Sequence, residues 1–329
     1  MTADADAPGE PSDAPRRVFL KFDVEPDPRA LTGRETDWPG FAALLDYLRD
    51  MRPRLEDGTG GPVNYTWHIR IDPHVASAFG RPDWALQNYG DRIQALREAG
   101  DDVGVHIHGW RPVKRWFRQV WMPDYADDGW AIECIEGAVD AYRGFFGDRP
   151  VTVSMGDGYV SNAIMGAFER LGLRCDISLM PGYVDADDTN KREKSIGLPP
   201  ETAATRAAPY RPSKADFRVP GEPSRNLWEL PLTAAVVPHE ITGALSRRKL
   251  LLGMNPGQAK TICDANRAEP IVGADCRADV LSHPETAQRM RQVVENHRMY
   301  FGGRVRFVTC RALADYLDQT TGGPSENAA

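Results

Sequence analysis

Short apolar runs alternate with longer stretches of helical periodicity along most of the chain. VFLKFDVE (18–25) precedes FAALLDYLRDMR (41–52), VNYTWHIRID (63–72) precedes DRIQALREAG (91–100), and DVGVHIHGW (102–110) precedes AIECIEGAVDAYRGFF (131–146). The alternation continues through VTVSMGD (151–157), AIMGAFERLGL (163–173), LWELPLT (227–233), ETAQRMRQVVENHRMYF (285–301), VRFVTC (305–310) and RALADYL (311–317). Strands that alternate with helices of this length predict βα units around a parallel sheet or barrel. No compositional break divides the pattern, which predicts one domain over residues 16–319. Residues 1–15 and 320–329 are small, polar and Pro- or Gly-containing, and read as disordered tails. Residues 185–225, rich in Pro and charge with weak periodicity, read as a long excursion.

The period-2 pattern carries the candidate chemistry. In DVGVHIHGW, Val103, Val105 and Ile107 take one strand face, and His106 and His108 share the other. Two imidazoles on one face are metal ligands or core residues, and that strand alone does not decide between them. The first strand alternates in the same way, with Phe22 and Val24 on one side and Asp23 and Glu25 on the other at its C-terminal end. In an α/β barrel the C-terminal ends of the strands converge, so the four side chains can meet there. Two imidazoles and one carboxylate, with a second carboxylate free, are what a zinc-type hydrolytic site requires. The competing reading makes Asp23 a turn cap and Glu25 a surface charge.

Composition narrows the partners. The 329 residues carry a net charge of −7, which argues against a chain built to coat nucleic acid or an anionic membrane and leaves small polar ligands open. The five cysteines are scattered, with no Cys-x-x-Cys pair, and read as reduced structural thiols. The first fifteen residues lack the basic start and apolar run of a secretory signal, and no run is long enough to span a bilayer, so a cytoplasmic location is expected.

FDVEPDP after the first strand, AGDDVGVH (99–106) after a helix and a late VLSHPE (280–285) resemble the polysaccharide deacetylases, the carbohydrate esterase family 4 or NodB-homology domain. GLRCDISLMPG and the series YRPS, FRVPG and LWELP add to the likeness, which covers residues 18–317. The resemblance implies a distorted (β/α) barrel of seven or eight strands and a metal-dependent hydrolase that removes an acyl group from an amide or ester on a sugar. It implies that Asp23 is the general base, that Glu25 and His106 hold the metal, most simply Zn2+, and that His283 protonates the leaving group.

Two departures stand out. The family's second metal histidine falls four residues after the first, where this chain has Trp110; His108 is the nearby substitute, and imidazoles two apart on a strand can reach one ion. The family's arginine that orients the base is missing from VSMGDGYV, where Asp157 stands instead. Arg70 is a candidate replacement, the other reading being a surface pair with Asp72. Arg70, Trp110 and Asp157 are therefore expected beside the substrate. The aromatic and basic segment VKRWFRQVWMPDYADDGW (113–130) suits sugar stacking or phosphate binding, or else a packed lid. The leading expectation is a deacetylase acting on an amino-sugar derivative or another acylated metabolite. A degenerate saccharide-binding barrel and a C–N hydrolase acting on a non-sugar amide are the alternatives.

Overall fold

The computed structural model describes residues 14–28, 31, 35, 37–183 and 194–321. Its strands are β1 (Arg16–Val24), β2 (Thr66–Arg70), β3 (Asp102–Ile107), β4 (Trp110–Arg115), β5 (Arg118–Pro123), β6 (Thr152–Met155), β7 (Cys175–Asp176), β8 (Trp228–Glu229), β9 (Ala234–Pro238), β10 (Leu245–Lys249), β11 (Ile271–Arg277) and β12 (Val305–Phe307). The helices are α1 (Pro39–Thr59), α2 (Pro73–Phe79), α3 (Trp84–Asn88), α4 (Gly90–Glu98), α5 (Asp128–Phe146), α6 (Asn162–Leu171), α7 (Pro256–Ala265), α8 (Pro284–Glu295), α9 (His297–Phe301) and α10 (Cys310–Thr321).

Eight strands form one parallel sheet in the order β11-β1-β2-β3-β6-β7-β8, with β12 paired to the first residues of β1. This is the parallel βα arrangement that the alternation predicts, curled into the distorted barrel that the resemblance implies. Its seam is irregular: β8 and β11 are joined through the chain that follows β8, where Thr233 N–H donates to the Gly273 carbonyl (3.0 Å) and Thr233 Oγ1 accepts from Gly273 N–H (2.9 Å). Leu250 and Leu252 then pair with Asp275 on the same edge.

The alternation on β1 sorts two environments. Leu20, Phe22 and Val24 pack outward into the main core, where Phe22 stacks on Trp67 at 4.8 Å and Phe41 of α1 meets Trp67 at 6.0 Å. The opposite face lines the barrel lumen, and it is polar: Lys21 and Asp23 on β1, Thr66, His68 and Arg70 on β2, His106 on β3, Ser154 on β6, Asp176 on β7, Glu229 on β8 and Asp275 on β11, all buried. Barrels of this kind are ordinarily filled by bulky branched apolar side chains. A second, separate apolar cluster includes Phe19, Ile177, Leu230 and Leu313 of α10.

Burial also decides the state of the adjacent lumen carboxylates Asp176 and Glu229, paired in register between β7 and β8. Desolvation pushes Asp176 up to about 6 and Glu229 well above the carboxylate range, Glu229 being raised further by the neighbouring Asp176 charge. The folded state therefore holds protons that the unfolded chain releases, so the Asp176 contribution to stability is full below about pH 4 and is lost as pH rises through 6, while that of Glu229 persists to higher pH. Asp176→Asn is expected to gain on wild type across that window, with a slope of at most about 1.4 kcal/mol per pH unit. Urea denaturation at pH 4, 5 and 6 checks it; an unchanged difference between the two proteins would refute it.

Three expectations from the sequence need amendment. Helix α10 continues through Thr321, because Thr320 and Thr321 hydroxyls donate to the Tyr316 and Leu317 carbonyls of the last turn; residues 1–13 and 322–329 of the expected tails lie outside the described residues. Residues 110–123 form the antiparallel β4–β5 hairpin, and residues from 128 onward belong to α5, so the aromatic segment is neither one lid nor one loop. Within the excursion, residues 184–193 lie outside the described residues, while Tyr210 bridges back to Glu229.

Candidate active site

Register builds the site. Asp23 pairs with His68, Arg70 with His106, and Asp23 with Arg277, which brings the ends of β1, β2, β3 and β11 to one place. There His106 Nε2 lies 3.0 Å from His108 Nε2, and His108 Nε2 lies 3.4 Å from Glu25 Oε2. Donor atoms of the three residues all fall within 4.8 Å of one another, and the residues are 2–3% exposed. Zinc bonds of about 2.0–2.1 Å at tetrahedral angles place adjacent donors roughly 3.3 Å apart, so the spacing fits one such ion. Burial lowers both imidazoles, the nearby Arg70 charge helping to pull His108 down to about 3. Both are neutral near pH 7, the state in which a ring nitrogen can ligate.

The carboxylates are shared with cations. Burial alone would raise Glu25, but His108 and the Arg277 guanidinium outweigh it and hold Glu25 well below the carboxylate range. Arg277 Nη1 is 3.0 Å from Glu25 Oε1, and Arg70 Nη1 is 3.3 Å from Glu25 Oε2. Burial likewise opposes ionisation of Asp23, and His106, Lys21 and Lys249 reverse it. Lys21 Nζ donates to Asp23 Oδ2 at 2.8 Å and to Asp275 Oδ1 at 3.2 Å. Asp23 Oδ1 lies 3.3 Å from His106 Nδ1 without the alignment of a hydrogen bond, and both atoms are left unsatisfied. An ionised carboxylate with an unused lone pair is suited to accept a proton.

Each residue singled out from the sequence has a definite place. Arg70 is fully buried; it donates to Asp72 (2.7 Å) and Glu25, and its Nη2 faces His74 Nδ1 at 3.2 Å. It is not a surface pair, and it does not touch Asp23, because it lies one pleat beyond Asp23 on the strand. Trp110 is a buried wall, stacked on His74 at 5.2 Å, and its indole N–H donates to Asp157 Oδ2 at 2.9 Å. The same oxygen lies 3.4 Å from His108 Nδ1, the position from which a carboxylate orients a ligating imidazole. His283 is the exposed N-cap residue of α8, followed by Pro284, and its side chain meets none of the other candidates among the described residues. The residue of that connection which does reach the cluster is Arg277.

The turn after β6 shapes the pocket for His108. Asp157 sits at φ 59°, a left-handed conformation that Asp tolerates better than most residues. A Cβ on Gly156 would stand 2.3 Å from His108 Cε1 and Nδ1. Gly156→Ala is therefore expected to displace the His108 ring, at a cost of about 1–3 kcal/mol in stability, and to lower uptake of any divalent ion that the Glu25, His106 and His108 donors would hold. Thermal denaturation and elemental analysis check both halves.

No family profile and no curated protein matches the sequence. Among solved structures, a protein described as a glycoside hydrolase/deacetylase from Parabacteroides distasonis superposes with a TM-score of 0.59 over 94% of this chain and 73% of the other, at 12% identity. The chain has the polysaccharide deacetylase fold. A polysaccharide deacetylase from Mycobacterium smegmatis aligns over 97% of this chain and 96% of its own at 15% identity, with a TM-score of 0.49. The allantoinase PuuE aligns over 97% and 99%, at 12% identity and a TM-score of 0.50. At such identities the likeness is one of fold, and residue roles rest on the geometry above. In this chain the lumen carboxylates are paired with cations: Lys21 with Asp23, and Arg70 and Arg277 with Glu25.

Proposed function

We propose that the protein is a metal-dependent hydrolase that removes an acyl group, acetyl in the first instance, from an amide nitrogen on a sugar or glycosylated metabolite. The observation that carries this reading is the convergence of Glu25 Oε2, His106 Nε2 and His108 Nε2 beside an ionised Asp23 with a free lone pair. A divalent ion held there, most simply Zn2+, would supply Lewis acidity toward the acyl carbonyl and toward water. Asp23 accepts the proton of the attacking water at Oδ1, while Lys21 fixes its other oxygen. Asp157 and Gly156 hold the His108 ring in place, and Trp110 walls off solvent. His283, which the resemblance makes the proton donor to the leaving nitrogen, stands exposed at the start of α8 away from the cluster, so that role is not assigned to it.

The guanidiniums on Glu25 favour a second reading, a saccharide-binding barrel that has lost its ion, because two cations already share the carboxylate charge. The likeness to an allantoinase supports extending the substrate screen to non-sugar amides. Acetate release from N-acetylated amino sugars by protein reconstituted with zinc tests the proposal. Stoichiometric zinc with turnover supports it; a protein that takes up no zinc and hydrolyses none of the amides would refute it in favour of the binding barrel.

A further inference from the structure

The β4–β5 hairpin leaves the barrel immediately beside the site, since Trp110 opens β4 and its ring meets His108 edge-on at 5.2 Å. Six residues of strand at about 3.3 Å each carry its apex roughly 20 Å from Trp110. At that apex Trp116 is 90% and Phe117 100% exposed, two adjacent large apolar side chains presented to solvent. Trp116 also holds φ 55°, a conformation costly for a bulky residue, so an aromatic is kept where Gly or Asn would fit the backbone more easily. Around the pair stand Lys114, Arg115 and Arg118, and residues 110–123 contain no Asp or Glu, in a chain whose net charge is −7.

We propose that this hairpin seats the protein on an anionic lipid surface, with Trp116 and Phe117 entering the headgroup boundary and the flanking cations pairing with lipid phosphates. Aromatic side chains favour that boundary, and basic residues beside them add electrostatic attraction to acidic lipids. The net charge of the chain argued against an anionic membrane, and the hairpin is a local exception to it. A glycan platform is the less favoured occupant, because the apex offers cations but none of the carboxylates that would accept hydrogen bonds from sugar hydroxyls. The proposal does not depend on the reaction assigned above.

Co-sedimentation of the full chain with vesicles tests it. Binding to vesicles containing phosphatidylglycerol should exceed binding to pure phosphatidylcholine by tenfold or more and fall with added salt. Trp116→Ser/Phe117→Ser should reduce binding at least tenfold, and Lys114→Gln/Arg118→Gln should reduce the preference for the anionic vesicles by about fivefold per cation. Circular dichroism and acetate release from a soluble substrate should stay at wild-type levels in both. Absence of vesicle binding, equal binding by the aromatic variant, or hairpin-dependent binding to a soluble glycan or a second copy of the chain in its place would overturn the proposal.

Discussion

If the protein is reconstituted with zinc as proposed, His108→Ala is expected to lower zinc affinity by two or more orders of magnitude, and His106→Ala to do the same. Each removes one of three protein donors, and a site left with two loses far more than one in which only the outer support is cut, for which a 10- to 100-fold loss is typical. The geometry makes the two histidines equivalent in this respect, since their Nε2 atoms lie 3.0 Å apart and face the same point. Asp157→Asn, which weakens only the contact behind the ring, should fall in the milder range. Competition with a chelator after reconstitution measures all three; wild-type affinity in His108→Ala would remove His108 from the ligand set.

Asp23→Asn should fold, keep its zinc and lose activity by about 10²- to 10⁴-fold, the range expected for a positioned general base. The amide oxygen can still accept from Lys21, so the buried cation is not stranded, while the unpaired Oδ1 loses its basicity. Zinc content and acetate release on the same preparation separate the possibilities. Loss of zinc in this variant would make Asp23 a ligand and would require a different base.

The β1 pattern is the most informative stretch of the sequence, and it reaches further than the two carboxylates. Reading Asp23 and Glu25 onto one face was enough to place them together, but the same alternation puts Lys21 on that face, where it is the partner of Asp23. The sequence nominates Arg70 as that partner; a one-pleat offset, visible only once β1 and β2 are in register, directs it to Glu25 instead. IVGADCR, which becomes β11 and delivers Asp275 and Arg277, is not legible as a strand because Gly, Ala, Asp and Cys dilute its apolar signal. His106 and His108 are buried and converge with Glu25, a grouping that the shared strand face made legible. The hairpin was legible as aromatic and basic but not as a projection, because its faces are exposed and carry no core-facing alternation.

The neighbours of β1 have a consequence for how the chain is made. One edge pairs with β2, some forty residues on, while the other pairs with β11, so that Lys21 meets Asp275 across a sequence separation of 254. Contacts this remote carry the largest loop-closure cost and form slowly. During synthesis the β1 edge stays open until residue 277 has left the ribosome, and the Arg277 contact with Glu25 is among the last to form. A chain stopped short of β11 would have Glu25, His106 and His108 but would lack both the strand that completes the lumen and a cation that shares the Glu25 charge. Glu25, His106 and His108 therefore gather in a lumen closed on the β1 side only after β11 has been made.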